Sequence, residues 1–214
     1  MNMSGTRRRW HPVVPVVGLV VGLLVLSAGA GVLGGLGWWR WWSPAPDGVI
    51  GKRIDTGEIA WFAEPFDPGQ AHVASSTFEY VVVGFVLALV VGLVAGMLGR
   101  NRAVLTLFPV IAGSAFAAYV MWAVGMSFSP PDPQQWAVAA NIGHHYPGSL
   151  SIGAVDVHLH LWSWLGGDQH IGLPTPCLVW PVGMLLGFLI VMLTLTTEER
   201  TAAPETVAEP ELVE

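Results

Sequence analysis

Four long apolar runs, set apart by polar or turn-rich stretches, dominate the chain: Val13–Trp39, Phe78–Gly99, Ala103–Met126 and Pro176–Thr196. A helix rises 1.5 Å per residue, so about 20 apolar residues cross a hydrocarbon layer about 30 Å thick. Each run reaches that length, and none holds Asp, Glu, Lys or Arg in its interior. Glu79 falls in the first turn of the second run, where Ser76-Thr77-Phe78-Glu79 reads as a capping box at a helix start. The pattern predicts an all-α membrane protein, four transmembrane helices in a bundle. Residues 1–12 precede the first helix, 100–102 form a tight turn, and 197–214 form an acidic tail without apolar periodicity, expected to be disordered.

The two remaining segments, 40–77 and 127–175, are too long to be mere connectors. In the first, "VIGKRIDTGEIAWFA" reads as two strands around Asp55-Thr56-Gly57, with Gly57 free to take the positive φ of a hairpin turn. In the second, "GSLSIGAVDVHLHLWSW" alternates polar and apolar residues, as a half-buried strand does. Together they predict a small extracytoplasmic β-rich cap on the bundle.

Basic residues orient the chain. Arg7, Arg8, Arg9, Arg100, Arg102 and Arg200 fall on one side of the four spans, and Arg40, Lys52 and Arg53 on the other. Lys and Arg concentrate on the cytoplasmic side, which places both termini there. The Arg-rich start and Ala28-Gly29-Ala30 also resemble a signal peptide with its cleavage site. The apolar run continues to Trp39, longer than such a segment, so a retained anchor is the preferred reading.

Small residues recur every four positions within the spans: Gly18 and Gly22, then Ser27, Gly31 and Gly35; Gly84, Ala88, Gly92 and Gly96; Gly113 and Ala117; Gly183 and Gly187. Such stripes let helix backbones approach closely in lipid, where no hydrophobic effect drives helices together. They suit either a compact bundle or docking of a partner helix. Trp10, the cluster Trp38, Trp39, Trp41 and Trp42, and Trp180 read as anchors at the membrane interfaces. Pro109 and Pro181 predict kinks.

Composition agrees with a bilayer as solvent: 53% of residues are hydrophobic and 11% charged, against about a quarter charged in soluble domains. Six of the fifteen acids follow Thr197, so the net charge of −6 says little about partners, and no basic patch suggests nucleic acid. Cys177, the single cysteine, excludes an internal disulfide.

Candidate chemistry is sparse. Five of seven histidines lie between His144 and His170. On a strand, Asp156, His158 and His160 share one face. With His144 or His145 they form a candidate zinc or copper site, or a pH-responsive one, because imidazole and carboxylate both ligate these ions. The plainer expectation is a solvent-facing strand with no cofactor. No P-loop, GxSxG or HExxH motif is present, and no paired carboxylates lie within a span. Ser27, Ser114, Tyr119 and Thr194 are the polar groups a permease would have to use, and helix-satisfied or packing hydroxyls explain them more simply.

The stretches "GWWRWWSPAPDGVIG" (Gly37–Gly51), "DTGEIAWF" (Asp55–Phe62) and "FEYVVVGF" (Phe78–Phe85) resemble a family of actinobacterial four-span membrane proteins known as a domain of unknown function. The resemblance covers residues 13–196 and implies topology, not an activity or catalytic residues. The sequence thus leads to a non-enzymatic accessory or scaffold protein of the cell envelope, partnered by the lipid bilayer and by a membrane protein docked on small-residue helix faces. An extracytoplasmic metal or pH sensor is the alternative, and a small-solute permease the third reading.

Overall fold

The computed structural model describes residues 13–157, 171–174 and 176–202, with side chains over 17–153 and 178–194. It is mostly helical. Helices α1 (Val13–Trp42), α2 (Phe66–Gly99), α3 (Ala103–Phe128) and α4 (Pro176–Ala202) pack side by side. Strands β1 (Asp47–Lys52) and β2 (Ile59–Ala63) follow α1, while β3 (His145–Pro147), β4 (Ala154–Val157) and β5 (Ile171–Pro174) lie between α3 and α4. Two stretches are long and apolar enough to cross a membrane: Val17–Trp42, and Phe66–Phe128, which takes in α2 and α3. Leu178–Thr194 in α4 is apolar but shorter.

The bundle is organised as two helix pairs, α1 on α3 and α2 on α4, and glycines set both contacts. A methyl group placed on Gly31 would sit 2.7 Å from the Ala117 carbonyl oxygen, and one on Gly35 2.7 Å from that of Met121. In the second pair, Gly92 lies against the backbone of Met184 and Gly187 against that of Leu89, too close for any β-carbon. Gly96 faces Val191, and Gly183 faces Ala88. The small-residue spacing therefore does what lipid-embedded packing requires, joining backbones through glycine. Gly18 and Gly22 make no such contact: among the described residues nothing lies within 4 Å of a β-carbon added to either. Between the pairs, Leu23, Tyr80, Val110, Met121, Trp180 and Met184 fill the centre.

Helix α2 differs from the sequence expectation. It starts at Phe66 rather than Phe78, so Ser76 is deep in the helix and the capping box does not form. The N-cap is Pro65, with Asp67 in the first turn, where a carboxylate favours the exposed N–H groups. Asp67, Gln70, His72, Ser75 and Ser76 break the apolar run without breaking the helix, and hydropathy cannot register such an extension. Helix α1 likewise runs on to Trp42, and α4 to Ala202, six residues beyond Thr196 and into the tail expected to be disordered. The rest of that tail, 203–214, lies outside the described residues.

The strands form two small sheets. β1 pairs with β2 antiparallel, Ile50 opposite Trp61, and with β3 antiparallel, Gly48 opposite Tyr146. The order β2-β1-β3 thus joins the segment after α1 to the segment after α3. Gly57 takes φ 71° in the β1–β2 connection, as expected. Of the expected long strand, Ala154–Val157 forms β4, which pairs with β5, Val157 opposite Ile171; residues 158–170 lie outside the described residues.

The glycine contacts give the first testable outcome. Gly92→Leu should destabilise the bundle by about 1–3 kcal/mol or more, as overpacking does, whereas Gly18→Leu should stay within about 0.5 kcal/mol. Thermal melting in detergent compares them; equal effects would mean that α2 and α4 do not meet at Gly92.

Candidate functional site

Polar and aromatic side chains concentrate where the helices meet the three-stranded sheet. The geometry starts with helical spacing on α1: Trp38 and Trp42 lie one turn apart and share the face turned to α2, so both are buried, at 0% and 1% exposure. Trp38 Nε1–H donates to the Ser76 carbonyl at 2.7 Å, and its ring meets Tyr80 edge-on at 5.0 Å. Tyr80 in turn donates its hydroxyl to the Ala118 carbonyl of α3, 3.2 Å away. Trp38, Trp42 and Trp180 are core residues, which corrects their reading as interfacial anchors. Within the α1 cluster Trp41 is substantially exposed, while Trp39 packs on Phe128. Trp10 lies outside the described residues.

Trp42 and His72 form a reciprocal clamp between α1 and α2. The rings stack at 5.5 Å, Trp42 Nε1–H donates to the His72 carbonyl (3.3 Å), and His72 Nε2 lies 2.8 Å from the Trp42 carbonyl. A carbonyl can only accept, so His72 carries a hydrogen on Nε2. One turn along α2, Ser75 Oγ lies 2.8 Å from the His72 carbonyl and 3.0 Å from Glu79 Oε1. Glu79 is only 7% exposed, and its Oε2 is buried with no hydrogen-bond partner among the described residues. Glu79 is thus a buried group inside the helix rather than the interfacial cap of a helix start.

The same stretch of α2 holds the segment that follows β3. Ser76 Oγ lies 2.7 Å from the Ser151 carbonyl and 2.7 Å from the Val73 carbonyl, and the Gly153 N–H donates to Thr77 Oγ1 at 2.9 Å. From α3, Ser129 Oγ accepts the Leu150 N–H at 2.8 Å. Residues 150–153 are therefore strapped across two helices. In the sheet, Ile50, Trp61 and Ala63 make a second small core. Trp61 Nε1–H reaches the Tyr146 carbonyl at 2.9 Å, and Trp136 stacks on the Tyr146 ring at 5.0 Å.

The metal candidates fare differently. His144 and His145 flank the start of β3 in the three-stranded sheet, whereas Asp156 belongs to β4 in the separate two-stranded sheet. His145 Nδ1 approaches Glu64 Oε2 at 3.6 Å, with both side chains well exposed. Such an exposed pair adds little to stability. No three His, Cys, Asp or Glu residues come together to hold an ion among the described residues. His158 and His160, the centre of the expected metal site, lie outside the described residues, as do His170 and Asp168.

Of the hydroxyls considered for transport, two are hydrogen-bonded, one is exposed, and that of Ser27 is buried without a hydrogen-bond partner among the described residues. Ser114 and Thr194 donate back to helix carbonyls at 2.7 and 3.0 Å. Tyr119 is on an exposed face against Trp122, and Ser27 is buried against Gly113. A shallow groove on the β1–β2 hairpin is lined by Lys52, Arg53, Asp55 and Phe62, without a histidine or hydroxyl nucleophile. No family model matches the chain, and neither a curated protein nor a solved structure does.

The buried Glu79 and the Ser76 strap left little trace in the sequence. Their signal was a short polar interruption, His72–Glu79, preceding a wholly apolar run, which a helix-start reading absorbed. Ser76→Ala should remove the link to Ser151 at a cost of about 1 kcal/mol and speed amide exchange at Gly153. Unchanged exchange at Gly153 would mean that the strap is held by other contacts.

Proposed function

We infer that the chain is a four-span integral membrane protein of the cell envelope whose sheet end serves as a non-enzymatic docking platform. The observation that carries this reading is the exposed side of every helix. Val25, Phe108, Leu189 and Leu193 are among many large apolar side chains left uncovered by the bundle, at 50–74% exposure. A water-soluble protein rarely leaves so much apolar surface open, and in a bilayer it faces lipid. Polar contacts, by contrast, gather at one end, where sheet and straps form a tied surface on α2 and α3.

The distribution of basic residues supports both termini, and the α2–α3 turn with Arg100 and Arg102, on the cytoplasmic side. The sheet and hairpin then face outward. An accessory or scaffold role suits a platform of short strands that carries no constellation of catalytic groups in the described residues, and whose hairpin tip exposes Ile54 fully.

Single cysteines test the arrangement in a Cys177→Ser background. Cysteines placed at Asp55 and at Asp132 should react with a membrane-impermeant thiol reagent on intact cells, and one at Ala202 should react only after lysis. Labelling at Ala202 with protection at the other two positions would invert the topology. An outward platform would then be untenable.

A further inference from the structure

Charge is distributed unevenly along the bundle axis. Among the described side chains, every carboxylate, from Asp47 to Asp132, lies in the half that carries the sheet. The opposite end holds two charges, Arg100 and Arg102, both in the turn between α2 and α3. At the sheet end Arg53 lies beside Asp55 and Glu58, whereas no described ion pair or hydrogen bond involves either guanidinium of the turn. Arg100 is exposed and Arg102 half-buried. A guanidinium offers five N–H donors and no acceptor, in a fork that matches the oxygens of a phosphate or a carboxylate.

The apolar surface beside the turn narrows the choice of anion. Met97, Leu98, Val104, Leu105 and Phe108 are each more than half exposed, and all lie within about two helical turns of the arginines. A small soluble anion has nothing to place against such a flank. A phospholipid does: its phosphate meets the guanidinium groups while its acyl chains lie along the apolar side chains.

Helix pairing also sets how far the acids of α4 stand from the turn. Helices α2 and α4 run in the same direction, with Gly92 against Met184 and Gly96 against Phe188 and Val191. Arg100 is therefore level with residues 192–195 of α4. Residues 198 and 199, the two glutamates of that helix, follow about 5–10 Å further along the axis at 1.5 Å per residue. The arginines thus sit at the rim of the apolar zone, and the backbone carries the acids of α4 beyond it.

We propose that the α2–α3 turn binds the phosphate of an anionic phospholipid, with Arg100 and Arg102 as its ligands. The proposal rests on the four-span reading, which puts the turn in the cytoplasmic leaflet, where negative surface potential concentrates. Each guanidinium donates to phosphate oxygens, a charge-assisted and directional contact. A zwitterionic lipid carries the same phosphate, but its ammonium group offsets the attraction. The site therefore prefers lipids of net negative charge.

Melting of the purified full-length protein in neutral detergent, titrated with phosphatidylglycerol or with phosphatidylcholine, tests the site. Phosphatidylglycerol should raise the melting temperature at a lower concentration than phosphatidylcholine. Arg100→Gln with Arg102→Gln should weaken phosphatidylglycerol binding about 30-fold, roughly fivefold for each arginine. Neither arginine is buried, so the variant keeps the fold. Arg100→Lys with Arg102→Lys keeps the charge and should retain most of the preference, and Lys52→Gln with Arg53→Gln, at the sheet end, should retain all of it. A preference that survives Arg100→Gln with Arg102→Gln, or that Lys52→Gln with Arg53→Gln removes equally, overturns the proposal. So does equal stabilisation by phosphatidylcholine, or by inorganic phosphate at the same concentration. Orientation plays no part in detergent, so an inverted topology on cysteine labelling would strike the outward platform and leave this site standing.

Discussion

Backbone-to-backbone contact through glycine is the constraint on which this architecture rests. Where Gly92 meets Met184 and Gly187 meets Leu89, two helix backbones lie closer than any side chain permits. The same is true in kind of Gly31 and Gly35 of α1 against α3. On the proposed four-span reading, lipid tails are as apolar as leucine, so nothing would expel helices from the bilayer into one another and the gain would come from close packing over long contacts. Each pair fixes an axis, and the large central side chains, Tyr80, Met121, Trp180 and Met184, fill the space between the pairs. Gly125 makes room for the Trp38 ring in the same way. Without these glycines the rings at the sheet end would have no buried face to occupy.

The sheet end follows from that packing. Once α1 and α2 lie side by side, Trp38 and Trp42 fall on Ser76, Tyr80 and His72, and the polar edge of α2 is turned toward residues 150–153. Burial of Glu79 in that environment is the feature that a packing argument alone does not call for. A leucine would fill the position more cheaply, since an incompletely paired polar group in a low-dielectric setting costs free energy.

Much of this was legible in the sequence, and the remainder was not for physical reasons. The four apolar runs each became a helix, because length and hydropathy report the solvent a segment prefers. Gly57 marked its turn because few residues take a positive φ. Helix boundaries were less legible: α2 begins twelve residues before its apolar run, where polar side chains continue a helix that hydropathy no longer tracks. The tryptophans were misassigned because an interfacial anchor and a core residue at a helix end share the same sequence position; which face they occupy depends on the partner helix. β3 was too short to announce itself, and it forms because β1 offers an edge. Of the candidate metal ligands, the alternation around Asp156 correctly marked a strand, but His144 and His145 belong to a different sheet, a separation that only the pairing of strands defines.

The central claim, that glycine contacts join α1 to α3 at the backbone, is open to a direct measurement in native membranes. Trp39 on α1 and Phe128 on α3 pack with ring centroids 5.1 Å apart and involve no glycine. With Cys177 replaced by serine, a Trp39→Cys/Phe128→Cys protein should be joined within one chain by a short bifunctional thiol reagent, and adding Gly31→Leu with Gly35→Leu should abolish that joining. Joining that survives both leucines, or joining only between chains, would contradict the account.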